Sequence, residues 1–200
     1  MVNRFIYGVD RLSKTVGHAF AWCVAILTLG TCYEVFMRYV LNAPTSWAFD
    51  MSYTLYGAMF FMAGAYTLSR GGHVRADMFY RLWRPRVQAT IELVLYILFF
   101  FPGILALVIS GWGYGTESMK IREVSVNSPA GVPIWPLKLL IPFGAGLLAL
   151  QGVAEVLRCL QCLRDNQWPP RLHDVEELEK QLIEEHAKAE AQAAQAGGAR

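Results

Sequence analysis

The chain alternates long apolar runs with short polar segments. Its four apolar runs cover residues 15–41, 47–68, 87–114 and 136–160. A transmembrane helix needs about 20 mostly apolar residues to cross a hydrocarbon core about 30 Å thick, and each run is long enough. The pattern therefore predicts an all-α integral membrane protein with four transmembrane helices.

Turn and helix-breaking residues refine this prediction. The segment 42–46 reads NAPTS, a composition that favours chain reversal, so the first two spans should form a hairpin. Pro102 and Gly103 predict a kink within the third span. We expect the sequence GWGYG at 111–115 to end that span. Small residues in the fourth span should serve helix–helix contacts, and these are Gly144, Gly146 and Gly152.

The two ends of the chain differ from the spans. Residues 1–14 alternate charged and apolar side chains, which predicts an amphipathic lead-in on the cytoplasmic membrane surface. A signal peptide is the alternative, but its apolar region would be shorter, about 7–15 residues, and would end in a small-residue cleavage site. The tail 165–200 is acidic and then rich in Ala, Gln and Gly, so a frayed or disordered cytoplasmic end is expected.

The segment 69–86 is the one long polar interruption between the first two apolar runs and the rest of the chain. It carries five arginines and a single acid, Asp77. Its apolar residues from Met78 onward fall on one helical face, which predicts a short helix lying in the membrane interface. We expect Asp77 to cap this helix and the Arg84-Pro85 step to end it.

Composition and charge agree with a membrane protein. Hydrophobic residues make up 54% of the 200 residues and charged residues only 17%, whereas a soluble domain has about a quarter charged. A net charge of +2 gives no support for a nucleic-acid binder. Arginines concentrate in the lead-in, in 69–86 and after the fourth span, so the positive-inside rule places these segments and both termini in the cytoplasm.

Ionisable residues within spans normally pair or face protein. Glu34 and Arg38 are four residues apart on one helix and can pair, and Asp50 should come near Arg38 across the hairpin. The three are predicted to form a structural charge cluster, with an ion or proton site as the alternative. Gln151, Glu155 and Arg158 form a similar group in the fourth span, which Glu92 could join.

No pattern in the sequence predicts catalysis. The pair Cys159 and Cys162 lacks the second pair of a zinc site, and only His18 lies near a span, which makes haem ligation improbable. We therefore expect no enzyme activity, no cofactor and no metal.

Several short motifs resemble one known family. The first hairpin contributes Arg38-Tyr39-Val40, Trp47 and Asp50, and the second span contributes Gly64-Ala65 and Tyr66-Thr67-Leu68. The most characteristic stretch is His73-Val74-Arg75-Ala76-Asp77, and later matches are Glu123, Ser125, Gly131, Pro133, Lys138, Ile141-Pro142 and Leu150-Gln151-Gly152. This pattern resembles the small membrane subunit, or Q-type subunit, of tripartite ATP-independent periplasmic (TRAP) transporters. It is most similar to the branch named for mannitol or chloroaromatic compounds.

The resemblance implies a non-catalytic subunit of a sodium-coupled transporter, located in the bacterial inner membrane and crossing it several times. Such a subunit braces a large membrane subunit and helps a periplasmic substrate-binding protein to dock for uptake of an organic acid. A self-sufficient four-helix carrier, or the membrane anchor of a redox complex, is the alternative. Contacts with lipid or with the large subunit are expected at the cytoplasmic face, from Arg70, His73, Arg75, Asp77, Arg81 and Arg84. A periplasmic docking loop is expected at Glu117, Lys120, Arg122, Glu123 and Ser125.

Overall fold

The computed structural model of the protein describes residues 2–71 and 83–169. Its elements in chain order are α1 (Val2–Tyr39), α2 (Ala48–Ser69), α3 (Pro85–Leu95), a π-helical turn (Tyr96–Phe100), α4 (Phe101–Lys120) and α5 (Trp135–Asp165). The described residues form no β-strand, and one isolated bridge joins Val124 and Pro133 between α4 and α5. The all-α prediction is confirmed for this part of the chain.

Helix α5 is the centre of the packing. The pairs α1–α2 and α4–α5 form two hairpins, and α2 packs against α5 to join them. Helix α5 also contacts α1 and α3, so it touches every other α-helix described. The residues that α5 buries run along its whole length, from Leu137 to Cys162.

Three stretches of the described part of the chain are long and apolar enough to cross a membrane. They are α1, the continuous helical stretch Pro85–Lys120, and α5. Helix α2 has 22 residues, but polar and aromatic side chains such as Asp50, Tyr53 and Tyr56 lower its hydropathy. The second predicted span, and with it the count of four, therefore stays a prediction, as does the orientation of the termini. The predicted interface helix lies outside the described residues, except for Trp83 and Arg84 at its end.

The predicted lead-in and the predicted first span are one continuous helix, α1. The lead-in does not lie apart from the bundle. Ile6 and Val9 form a buried cluster with Ala154 of α5, while Asp10, Ser13 and Gly17 are also buried. These residues recur at helical spacing, so the first turns of α1 present one face to the bundle.

The third predicted span differs in its middle and at its end. The π-helical turn precedes Pro102, and the Phe101 N–H bonds to the Tyr96 carbonyl five residues earlier. A proline cannot donate to the helix ladder and its ring crowds the carbonyl four residues before it, so a wider turn accommodates it. Helix α4 continues to Lys120, beyond the predicted end at Tyr114. Gly115 does not end the helix, because it faces α5: a Cβ there would lie 2.9 Å from Leu139 Cδ2.

Two of the three glycines predicted at helix contacts in α5 lie at such contacts. A Cβ on Gly144 would lie 2.7 Å from the Phe61 carbonyl oxygen of α2, and one on Gly152 would meet the Phe100 ring. Gly146 has no atom within 4 Å of its Cβ position. Small residues thus set the close approach of α2 and α5 at Gly144.

Candidate functional site

Glu34 joins the end of α1 to the hairpin turn. Arg38 Nη2 donates to Glu34 Oε1 at 2.7 Å, and the backbone N–H of Thr45 donates to Glu34 Oε2 at 3.1 Å. The Thr45 hydroxyl donates to the same Oε2 atom. One oxygen of the Glu34 carboxylate therefore binds the Arg38 guanidinium, and the other holds the turn through Thr45. The predicted pairing of Glu34 with Arg38 is present.

Asp50 does not complete this cluster. Its carboxylate is buried and accepts a hydrogen bond from Ser125 Oγ at 2.6 Å, while Ser128 Oγ donates to its other oxygen. Among the described residues no ion pair joins Asp50 to Arg38. The prediction of a three-residue cluster is wrong in this respect, because the Asp50 carboxylate instead accepts hydrogen bonds from two serines of the loop between α4 and α5. The structure thus separates a turn clamp at Glu34 from a loop clamp at Asp50.

The loop between α4 and α5 is held at several points. Ser125 N–H donates to the Val132 carbonyl at 2.8 Å, and Ile134 N–H donates to the Glu123 carbonyl at 3.1 Å. These bonds flank the Val124–Pro133 bridge. With Ser125 also bound to Asp50, the two arms of the loop are tied to each other and to α2. Between them the Val126 side chain is almost fully exposed.

The charged residues predicted for this loop take different positions. Glu123 pairs with Lys138 Nζ of α5 at 2.5 Å, and that ammonium also lies 4.1 Å from the Tyr114 ring centroid. The hydrogen bond from Lys138 holds the pKa of Glu123 below its usual value. Glu117 and Lys120 form an exposed pair at 3.4 Å. Arg122 has a left-handed φ of 49° at the end of α4, where the chain turns.

A buried polar network lies at the opposite end of the bundle. Arg158 donates to the carboxylates of Asp10 and Glu155. Gln151 Nε2 donates to Asp10 Oδ1 at 2.9 Å, and Ser13 Oγ donates to Gln151 Oε1 at 2.9 Å. All five side chains are almost completely buried. The charge-assisted bonds satisfy a cation and two acids that would otherwise be costly inside protein.

The sequence indicates three of the five residues of this network. It grouped Gln151, Glu155 and Arg158, but it placed Asp10 and Ser13 in a surface segment. A signal for their burial exists, because Ile6, Asp10, Ser13 and Gly17 recur every three or four residues beside an otherwise exposed face. The choice of Arg158 as partner could not be read from the sequence, since 148 residues separate it from Asp10.

Glu92 of α3 contacts this same end of α5 through Cys159. Cys159 Sγ donates to Glu92 Oε2 at 3.7 Å, and Ala89, Cys159 and Cys162 form a buried cluster. All four cysteines are free thiols. Within 2–71 and 83–169, no group of three or more His, Cys, Asp or Glu side chains could hold a metal ion.

Two residues of the predicted cytoplasmic contact set can be placed. Arg70 ends α2 and its guanidinium lies 5.2 Å from the Tyr66 ring centroid. Arg84 is extended and immediately precedes α3. The other four lie outside the described residues, and they are His73, Arg75, Asp77 and Arg81.

The comparison with known families decides the identification. A family model described as tripartite ATP-independent periplasmic transporters, DctQ component, matches residues 27–162. The match runs from the middle of α1 to near the end of α5. The chain belongs to this family. No match to the chain was found among curated proteins.

Membership of the DctQ family identifies the chain as a small membrane component of a TRAP transporter and as an integral membrane protein. DctQ components work with a large membrane subunit and a substrate-binding protein in a tripartite system. The family is generally non-catalytic. The matched range includes the turn clamp and the loop clamp but not Asp10 and Ser13.

Proposed function

We propose that this DctQ protein is the static brace of a sodium-coupled TRAP transporter in the bacterial inner membrane. In this proposal it crosses the membrane four times with both termini in the cytoplasm. It supports the large membrane subunit, and its α4–α5 loop helps a periplasmic binding protein to dock for uptake of an organic acid. The mannitol or chloroaromatic branch stays a prediction from the motifs.

The observation that supports the proposal is that the charged groups inside the bundle connect separate parts of the chain. Arg158 and Asp10 link the last helix to the first. Glu34 holds the α1–α2 turn, and Asp50 holds the α4–α5 loop onto α2. Each of these groups fixes one part of the chain to another. Such a use fits a rigid support better than a site that must take up and release an ion.

The α4–α5 loop is the best candidate for the docking surface. It is tied down at Ser125 and Glu123, and its Val126 side chain is exposed. The exposed Glu117–Lys120 pair lies beside it, at the end of α4. A pre-ordered loop loses little conformational entropy when a partner binds, and that favours affinity. The family match favours this role over the membrane anchor of a redox complex.

Asp50→Asn in the complete transporter tests the proposal. Asparagine keeps one acceptor oxygen but removes the charge, so we expect weaker assembly or docking with an unchanged sodium concentration for half-maximal uptake. Yield of the purified complex, affinity for the binding protein and the sodium curve are measured together. A complex with normal yield and affinity but a shifted sodium curve would assign Asp50 to ion coupling and contradict the brace.

A further inference from the structure

A basic groove lies beside the first turns of α1, on a face that the brace proposal does not use. It has a volume of about 600 Å³ and is lined by Tyr7, Arg11, Lys14, Thr15 and His18. Tyr7, Arg11, Lys14 and His18 follow one another every three or four positions, with Thr15 next to Lys14, so the set forms a single stripe along the helix. We define this set as the α1 groove. None of the lining residues that the structure describes is acidic.

The cations of the groove are not neutralised within the described part of the chain. No ion pair there involves Arg11 or Lys14. The neighbouring acid, Asp10, is buried and bound to Arg158. His18 Nδ1 lies 2.8 Å from the Lys14 carbonyl oxygen. Since a carbonyl only accepts, Nδ1 carries the proton, which leaves Nε2 as the second polar atom of the ring.

The groove is braced from α2. The His18 ring makes an edge contact with Tyr66, with 5.3 Å between centroids, and the Arg70 guanidinium lies 5.2 Å from the same Tyr66 ring. Gly17 allows this contact, because a Cβ there would lie 2.6 Å from Tyr66 Cβ. His18 is therefore held by packing, and a further cation lies behind the aromatic ring.

The position of the groove along α1 matches the headgroup level of a bilayer. Residues 15–33 carry no Asp, Glu, Lys or Arg. At about 1.5 Å per residue this run is roughly 28 Å long, close to the ~30 Å thickness of the hydrocarbon core. Lys14 and Glu34 bracket the run, so Arg11 and Lys14 lie where phosphate groups of lipids are found.

The same stripe continues into the apolar part of α1. Trp22, Ile26 and Leu29 follow His18 at helical spacing, and their side chains are 73%, 55% and 71% exposed. A ligand that follows the stripe therefore meets cations first and then a continuous apolar surface. An amphipathic anion has this order of groups, whereas a free phosphate has no use for the apolar portion.

We propose that the α1 groove binds the phosphate of an anionic phospholipid, whose acyl chain lies along Trp22, Ile26 and Leu29. Arg11 and Lys14 attract the charge, and the polar ring of His18 and the hydroxyl of Tyr7 complete the site. Basic pockets at the cytoplasmic side of membrane helices favour such headgroups. This proposal does not depend on the brace function.

Native mass spectrometry of the full-length chain tests the proposal, with equal amounts of phosphatidylglycerol and phosphatidylcholine added in detergent. We expect the wild-type chain to retain phosphatidylglycerol preferentially. The double variant Arg11→Gln/Lys14→Gln should bind it about tenfold or more weakly, since each cation near an anionic lipid contributes substantially. The charge-preserving pair Arg11→Lys/Lys14→Arg should keep most of the preference. Arg164→Gln is the matched control, because it removes an exposed cation at the same end of the bundle.

Two results would overturn the lipid site. One is equal retention of phosphatidylglycerol by the wild-type chain and the Arg11→Gln/Lys14→Gln variant. The other is retention of inorganic phosphate or glycerol phosphate by the wild-type chain in place of phosphatidylglycerol, which would assign the groove to a soluble anion. Circular dichroism of each variant checks that the helices are intact, and the charge-preserving pair keeps the comparison valid if the glutamine variant is unstable.

Discussion

The Arg158 guanidinium, near the end of α5, binds the Asp10 carboxylate, near the start of α1. Both side chains are almost fully buried, and Gln151 and Ser13 extend the contact with two further hydrogen bonds. The first and last helices are therefore joined by a specific polar link as well as by apolar packing around Ala154.

Removing the cation of this link should strongly destabilise the bundle. Arg158→Met leaves the Asp10 and Glu155 carboxylates buried without the guanidinium, a change that costs about 3–5 kcal/mol in comparable buried pairs. Thermal unfolding in detergent measures the effect. Arg164→Gln, at an exposed position on the same helix, should change the midpoint little. If Arg158→Met is as stable as this control, the link does not support the fold.

Asp50→Ala should release the α4–α5 loop while leaving the helices intact. The substitution removes the acceptor for Ser125 and Ser128, and each hydrogen bond to a charged group contributes about 1.5–3 kcal/mol. We expect faster hydrogen exchange and proteolysis at 121–134. Asp165→Asn, at an exposed carboxylate, is the control. Unchanged exchange in the loop of Asp50→Ala would show that other contacts hold it.

Gly144→Ala tests the close approach of α2 and α5. The added methyl group would lie 2.7 Å from the Phe61 carbonyl oxygen. Backbone must move to relieve that contact, so a loss of about 1–3 kcal/mol is expected. Gly146→Ala adds the same methyl group where no atom lies within 4 Å, so it should be neutral or slightly stabilising. Equal unfolding midpoints for the two variants would contradict the proposed contact.

The pair between Glu123 and Lys138 should make the loop sensitive to acid. The folded-state pKa of Glu123 is lowered by its hydrogen bond from Lys138, so the pair stabilises the fold above the ordinary pKa of glutamate, about 4.3. This contribution is lost as the pH falls through the lowered pKa. Glu123→Gln should therefore speed loop exchange at neutral pH.

The difference between the wild-type loop and the Glu123→Gln loop should disappear in acid. Comparing the two chains isolates this group from Asp50, which is present in both. A difference in exchange rate that is constant from neutral to acidic pH would show that ionisation of Glu123 does not hold the loop.

Local features of this fold follow from the sequence to a large extent. The apolar runs predict where the helices lie, and NAPTS predicts the first hairpin turn. Pro102 predicts a break, and the structure places a π-helical turn directly before it. Glu34 and Arg38 pair as expected because both side chains lie on one helix, four residues apart. Each of these predictions depends on neighbours in the chain.

Features that depend on distant partners were missed. The sequence predicts that Asp50 lies near Arg38 across the hairpin, and only the folded loop brings Ser125 and Ser128 to it. The sequence places Asp10 in a surface segment, because its partner Arg158 lies far away on the last helix. The sequence predicts a helix end at Gly111 and Gly115, since their contacts with α5 form only when that helix packs against α4.

The most direct test of the brace function is organic-acid uptake in liposomes under a sodium gradient. Three preparations are compared: the chain alone, its large subunit alone, and the two together, each with the binding protein. We predict that the chain alone moves no substrate and that uptake requires the complex with the large subunit. Sodium-driven uptake by this chain without the large subunit would contradict the account.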